Sequence, residues 1–195
     1  PGKEEFYETI RYFSRRLEVL NVAVKLSERV NLKTIKAGDF DEVVIATGVL
    51  PREPGIPGQD HPKVLTYLDV LRDKKPVGDR VAVIGAGGIG FDVCEFLSHE
   101  GDDSSVDVKA FLSKWGIDPE NEVRGGVAGV VANTSKIERA ITLLQRKTTR
   151  LGAGLGKTTG WIHRASLKTK KINMVAGAQY DNIDDAGLHY TLDGE

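Results

Sequence analysis

The chain has 195 residues, 27 Lys and Arg against 28 Asp and Glu, and 40% hydrophobic residues, a composition that fits one large or two small globular domains. A formal net charge of -1 argues against a nucleic-acid partner, and the lack of an apolar run of about 18 residues or of a basic-then-apolar leader argues against a membrane partner or secretion, so the expected compartment is the cytoplasm. The single cysteine, Cys94, is too few for a disulfide framework, a zinc site or a dithiol flavin reductase, which needs a CxxC pair.

Residues 4–19 place Phe6, Ile10, Phe13 and Leu17 at spacings of three and four with charges between them, which predicts an amphipathic helix. Strands are predicted at 22–26, 28–32 and 40–46, the last running into Thr47 and Gly48. The next stretch, VLPREPGIPG at 49–58, holds three prolines and two glycines and reads as a linker or domain crossing. A short helix is expected at 66–73 and a turn at 76–79. His61, just before Pro62, reads as a loop histidine without a catalytic partner.

Residues 80–92, RVAVIGAGGIGFD, carry the sharpest signal. A short β-branched run, 80–84, feeds Gly85-Ala86-Gly87-Gly88-Ile89-Gly90, and apolar residues at helical spacing follow over 91–99. In such a GxGxxG, Gly85 permits the tight turn, Gly87 lets backbone approach a pyrophosphate, and Gly90 lets the helix pack on the strand. The alternative is a plain glycine turn; a strand before and a helix after favour dinucleotide binding, with the helix N-terminus facing the phosphates.

Beyond the helix, residues 100–138 intervene where a compact fold would continue to its second strand. They divide into a polar loop at 101–105, a short helix at 108–115 and a Gly/Val-rich loop at 124–134, and read as a structural or interdomain excursion. The second strand is predicted at 140–144, followed by Gln145, Arg146 and Lys147. A carboxylate at that position would hold the adenosine ribose of NAD, whereas the basic pair suits the extra phosphate of NADP. The stretch LGAGLGKTTG at 151–160 misses a P-loop by one residue, because GxxxxGK followed by Thr158 would need glycine where Leu151 stands. It reads instead as an approach to a helix, with Thr158 or Thr159 as N-cap, 161–168 as body and Lys157 able to support a phosphate. His163 then falls on the helix surface. A third parallel strand is predicted at 171–175 and an antiparallel pair at 178–183 and 188–192.

The run DEVVIATGVLPREPGIPG resembles the second flavin-contacting signature of two-dinucleotide-domain flavoproteins, on Ala46, Thr47 and Gly48 with Pro51, Arg52, Pro54 and Ile56-Pro57-Gly58 behind them. In that family the Ala-Thr-Gly backbone passes near the flavin, and the chain then crosses into the nicotinamide-nucleotide domain. PGKEEFYETIRYF, HPKVLTYLDVLRDKKPVG, VIGAGGIGFD, KWGID, LLQRK and GLGKTTGWIHR together resemble the C-terminal region of bacterial NADPH-dependent 2,4-dienoyl-CoA reductases, within the old yellow enzyme and trimethylamine dehydrogenase-like flavoproteins.

The resemblance covers nearly the whole chain and implies an α/β fold: a Rossmann-like parallel sheet nucleotide-binding domain at 59–195, with a partial FAD-binding domain and crossover at 1–58. It implies NADPH and FAD as cofactors, with FAD contacts at Val30, Ala46, Thr47 and Gly48. FMN, a 4Fe-4S cluster and the substrate-reducing residues are implied in a barrel outside this chain, where electrons from NADPH and FAD reach a dienoyl thioester. No catalytic residue or metal ligand is assigned here. The chain begins at Pro1 without methionine and ends on the turn-like Asp193-Gly194-Glu195, so it is expected to be part of a longer polypeptide, with the barrel and the remaining FAD domain as its partners. The alternative function is a noncatalytic Rossmann module that senses NADP(H).

Overall fold

The first helix, α1 (Tyr7–Val19), follows a 3-10 turn at Glu4–Phe6 in the computed structural model, which describes residues 4–99, 107–120 and 137–194. The loops expected at 101–105 and 124–134 lie outside the described residues. The chain divides into two units, one up to Glu53 and one from Pro54 onward.

In the first unit, α1 forms as its periodicity predicts and carries i,i+3 pairs between Glu8 and Arg11 and between Arg15 and Glu18. A second helix, α2 (Leu32–Ala37), replaces an expected strand end: the Asn31 side chain accepts a hydrogen bond from the Thr34 amide at 3.1 Å, a local N-cap that starts the helix. None of the strands expected at 22–26, 28–32 and 40–46 forms. A strand is held by a ladder to a neighbour and by packing on one face, and these segments have neither. Val44 and Ile45 are 86% and 80% exposed.

The second unit is built on three parallel strands, β1 (Arg80–Ile84), β2 (Ala140–Gln145) and β3 (Asn173–Ala176), in the order β1-β2-β3. Ile84 pairs with Leu144 and Gln145 with Ala176, so the C-terminal ends of all three strands share one edge. Before the sheet comes α3 (Tyr67–Leu71), shorter than expected and started by a capping box between Thr66 and Asp69. The hydrogen bond from Lys75, with further ones from Thr66, holds the Asp69 carboxyl well below the usual carboxylate range. Between β1 and β2 run α4 (Gly88–Leu97) and α5 (Val108–Trp115); α5 is capped by the Asp107 side chain and ended by Gly116 at φ +65°. Next, α6 (Gly160–Thr169) connects β2 to β3.

Phe91, Cys94 and Leu97 of α4 bury against Leu143 of β2, Leu167 of α6 and Ile172. Leu143 and Leu144 are both fully buried although consecutive strand residues face opposite ways, so β2 is covered on both faces. This is why AITLL is a continuous apolar run. The third strand begins later than the expected 171–175, because the end of α6 uses those residues: the Lys171 amide donates to Lys168, the Ile172 amide to Leu167, and Lys171 sits at φ +55°. The chain closes with an antiparallel hairpin, β4 (Gln179–Asp184) and β5 (Gly187–Thr191). Among the described residues no helix is long and apolar enough to cross a membrane.

Candidate nucleotide-binding site

β1 delivers the chain to Gly85, whose amide donates to the Leu144 carbonyl at 2.8 Å and whose φ of +106° strains any residue with a side chain. Gly87 then caps α4 in an extended conformation, φ -85° and ψ -177°, without a side-chain cap. The first amides of an α-helix have no intrahelical acceptor, and space is open beside them: a Cβ on Gly87 or Gly88 would meet no atom of the described residues within 4 Å. Gly90 is the opposite case. A Cβ there would lie 1.8 Å from the Gly85 carbonyl oxygen and 3.4 Å from Leu143 Cδ1. That glycine lets the helix press against its own entry turn and against β2, which aims the helix axis at the open space.

Arg146 and Lys147 follow β2, which extends one residue past the expected 140–144. Parallel register places them at the same sheet edge as the glycine loop. Their backbone is pinned: the Lys147 carbonyl accepts from the Gly177 amide and from Gln145 Nε2, each at 3.0 Å, and the Gln145 carbonyl accepts from the Ala178 amide at 3.0 Å. Both side chains are exposed. Burial raises the Tyr180 phenol above its ordinary pKa, and the nearby charge of Arg146 works against that rise.

Lys157 is exposed in the turn before α6, and Thr159 holds the N-cap position, although its hydroxyl makes no cap bond. The loop before it rests on α4. A Cβ on Gly152 would lie 2.9 Å from Phe91 Cζ, and the Gly152 carbonyl accepts from Arg164 Nη1 at 3.1 Å. Two helix N-termini without side-chain caps and the cations Arg146, Lys147 and Lys157 therefore belong to loops at the C-terminal edge of one parallel sheet, where open α/β folds bind ligands. None of these cations has an ion pair among the described residues.

The flavin-type positions lie in the first unit. Val30 is not on a strand edge as expected; it sits in irregular, exposed backbone, and no strand among the described residues pairs with it. Ala46, Thr47 and Gly48 are also exposed and irregular, with Gly48 at φ +73°. No hydrogen bond among the described residues joins Val30 to 46–48.

One supporting cluster had no sequence signal. Glu95 of α4 pairs with Lys170 at 2.5 Å and accepts from the Ser166 hydroxyl at 2.9 Å, tying α4 to the far end of α6. Burial pushes the Glu95 carboxyl up, but Lys170, Ser166 and Lys114 outweigh it and hold the group below its usual range. The partners lie 75 positions apart, so periodicity and spacing could not reveal them. Beside them Cys94 is fully buried, and burial pushes its thiol up to about 12.

The family profile described as pyridine nucleotide-disulphide oxidoreductase matches residues 8–195. The chain belongs to this family. Pyridine nucleotide-disulphide oxidoreductases of this type bind FAD and NAD(P), in keeping with the Rossmann-like sheet and its glycine loop. A metal reductase of Desulforamulus reducens is 27% identical over 177 residues, covering 89% of this chain and 25% of that protein. A cinnamate reductase of Clostridium sporogenes is 33% identical over 104 residues, covering 53% of this chain and 15% of that protein. A solved 2-naphthoyl-CoA reductase in complex with 2-naphthoyl-CoA shares the fold, with a TM-score of 0.67 and 22% identity over 97% of this chain and 23% of that one. The chain thus spans 15 to 25% of the length of these relatives. The dithiol chemistry in the family's description needs two cysteines, and these residues hold one, shielded and protonated at neutral pH.

Proposed function

We propose that this chain is the NADPH-binding part, with a share of the FAD site, of a longer flavoprotein reductase. The observation that carries the reading is the uncapped start of α4, with open space over Gly87 and Gly88, on the same sheet edge as Arg146 and Lys147, which have no ion pair among the described residues. Amides of the first α4 turn would hold the pyrophosphate, and Gly90 keeps that turn aimed. Arg146 offers a planar fork to the adenosine 2′-phosphate, Lys147 and Lys157 add point charges, and no carboxylate ends β2 to repel it. Val30, Ala46, Thr47 and Gly48 are the positions assigned to FAD. When bound, the two cofactors would supply hydride transfer from nicotinamide to flavin; the part of these residues would be binding and orientation.

For the whole polypeptide we favour a reductase similar to 2,4-dienoyl-CoA reductases, with FMN and a 4Fe-4S cluster held by residues outside this chain. The relatives' names support a reduction, and the FAD and NAD(P) binding of the family supports a flavin route to it. Calorimetric titration with NADPH and NADH tests the nucleotide assignment. NADPH is expected to bind at least about tenfold tighter, the equivalent of one charged hydrogen bond. Equal affinities would remove the NADPH assignment and leave a generic dinucleotide fold.

A further inference from the structure

A recess of about 370 Å³ opens between α3 and the end of α4, with Val77, Phe96 and Leu97 forming apolar wall and Lys74, Lys75 and Arg139 lining it as cations. It lies at the other end of the sheet from the glycine loop. Arg139 immediately precedes β2, whose first residue pairs with the first residue of β1, and Leu97 ends the helix that Gly88 begins. Ten helical residues separate the two ends by about 15 Å.

The charges around this recess are unevenly committed. Lys75 is engaged by Asp69 at 2.5 Å, and Asp73 is engaged by Arg72 at 2.7 Å. Lys74 and Arg139 make no ion pair among the described residues. Arg139 Nη1 donates to the Leu97 carbonyl at 3.2 Å, but its Nε is shielded from solvent and meets no acceptor among the described residues. The Arg139 guanidinium carries a charge that no carboxylate among the described residues answers, and an anionic oxygen in the recess would answer it. The negative end of α4 is already blunted, because Ser98 Oγ donates to the Cys94 carbonyl at 2.6 Å and Arg139 takes that of Leu97. The volume lies within the range of small-molecule sites.

We propose that this recess binds an organic phosphate monoester. Its two negative charges match the two uncommitted cations, Lys74 and Arg139, where a carboxylate would bring one. The attached apolar or aromatic body lies on Phe96 and Val77. The site is separate from the proposed NADPH site and does not depend on it.

Phenyl phosphate is the probe, titrated into the chain with and without saturating NADPH while the amide resonances of Val77, Phe96 and Leu97 are followed. Saturable shifts at these residues in both titrations are expected. Inorganic phosphate, which lacks the apolar body, and benzoate, which lacks one charge, should each bind about tenfold more weakly. Lys74→Gln should weaken phenyl phosphate binding about tenfold without changing Tm, since the side chain is exposed, and Arg139→Gln should weaken it at least as much. Non-saturating shifts, shifts confined to Gly85–Gly90, or an affinity unchanged in Lys74→Gln would each overturn the proposal. Failure of NADPH to bind would remove the nucleotide assignment and leave the result at the recess interpretable.

Discussion

Replacing Gly87 by valine should abolish NADPH binding and leave the fold standing. The backbone at Gly87, φ -85° and ψ -177°, is extended and open to any residue, and a Cβ there meets nothing within 4 Å. Valine is a poorer N-cap than glycine, but it also lowers the entropy of the unfolded chain by an amount of similar size. The two effects nearly cancel, for a net change within about 1 kcal/mol. In a unit of this size that shifts Tm by no more than about 4 °C. Binding responds differently, because the branched side chain fills the space in front of the α4 amides. Two lost charge-assisted hydrogen bonds, at roughly 1.5–3 kcal/mol each, amount to roughly 3–6 kcal/mol, a loss of about 10²- to 10⁴-fold. Calorimetry with NADPH, beside a thermal melt of the same sample, reads both quantities. A folded Gly87→Val variant that binds NADPH as tightly as the wild type would show that the open space is not the pyrophosphate site.

The remaining expectations concern selectivity, packing and ionisation. Arg146→Ala should weaken NADPH binding about ten- to a hundredfold and spare NADH, with the difference shrinking as salt rises; equal losses would assign Arg146 to the fold or the pyrophosphate. Gly90→Ala should destabilise the unit by about 2 kcal/mol or more in urea, because its Cβ would meet the Gly85 carbonyl at 1.8 Å and backbone must move. Glu95→Gln should flatten the acid limb of the stability profile. The Glu95 pKa is lowered in the folded state, so its stabilisation is full above the ordinary value of 4.5 and is lost as pH falls through the lower folded value. Cys94 should resist a thiol reagent at neutral pH until urea unfolds the chain; rapid labelling of the native protein would contradict its burial.

The stretch from β1 through the glycine loop into α4 was legible because every signal in it is local: β-branched residues, a turn that needs Gly85, and apolar residues at helical spacing. The same holds for α5, between Asp107 and Gly116, and for the basic end of β2, whose place beside the glycine loop follows from parallel topology. The N-terminal segments do not form the strands their composition suggests, because β-propensity at Val43, Val44 and Ile45 reports only what would fit a sheet. A strand exists where another segment completes its ladder, and the sequence cannot supply that partner. The start of β3 was decided by how α6 unwinds through Lys171. Glycine spacing points to a helix-packing place for Gly90, yet that its contact is the Gly85 carbonyl is a tertiary fact, as is the Glu95–Lys170 pair. Periodicity, caps and glycine spacing act over a few residues and can be read along the chain. Contacts between residues 75 positions apart depend on how the packed elements meet, and only the folded arrangement decides them.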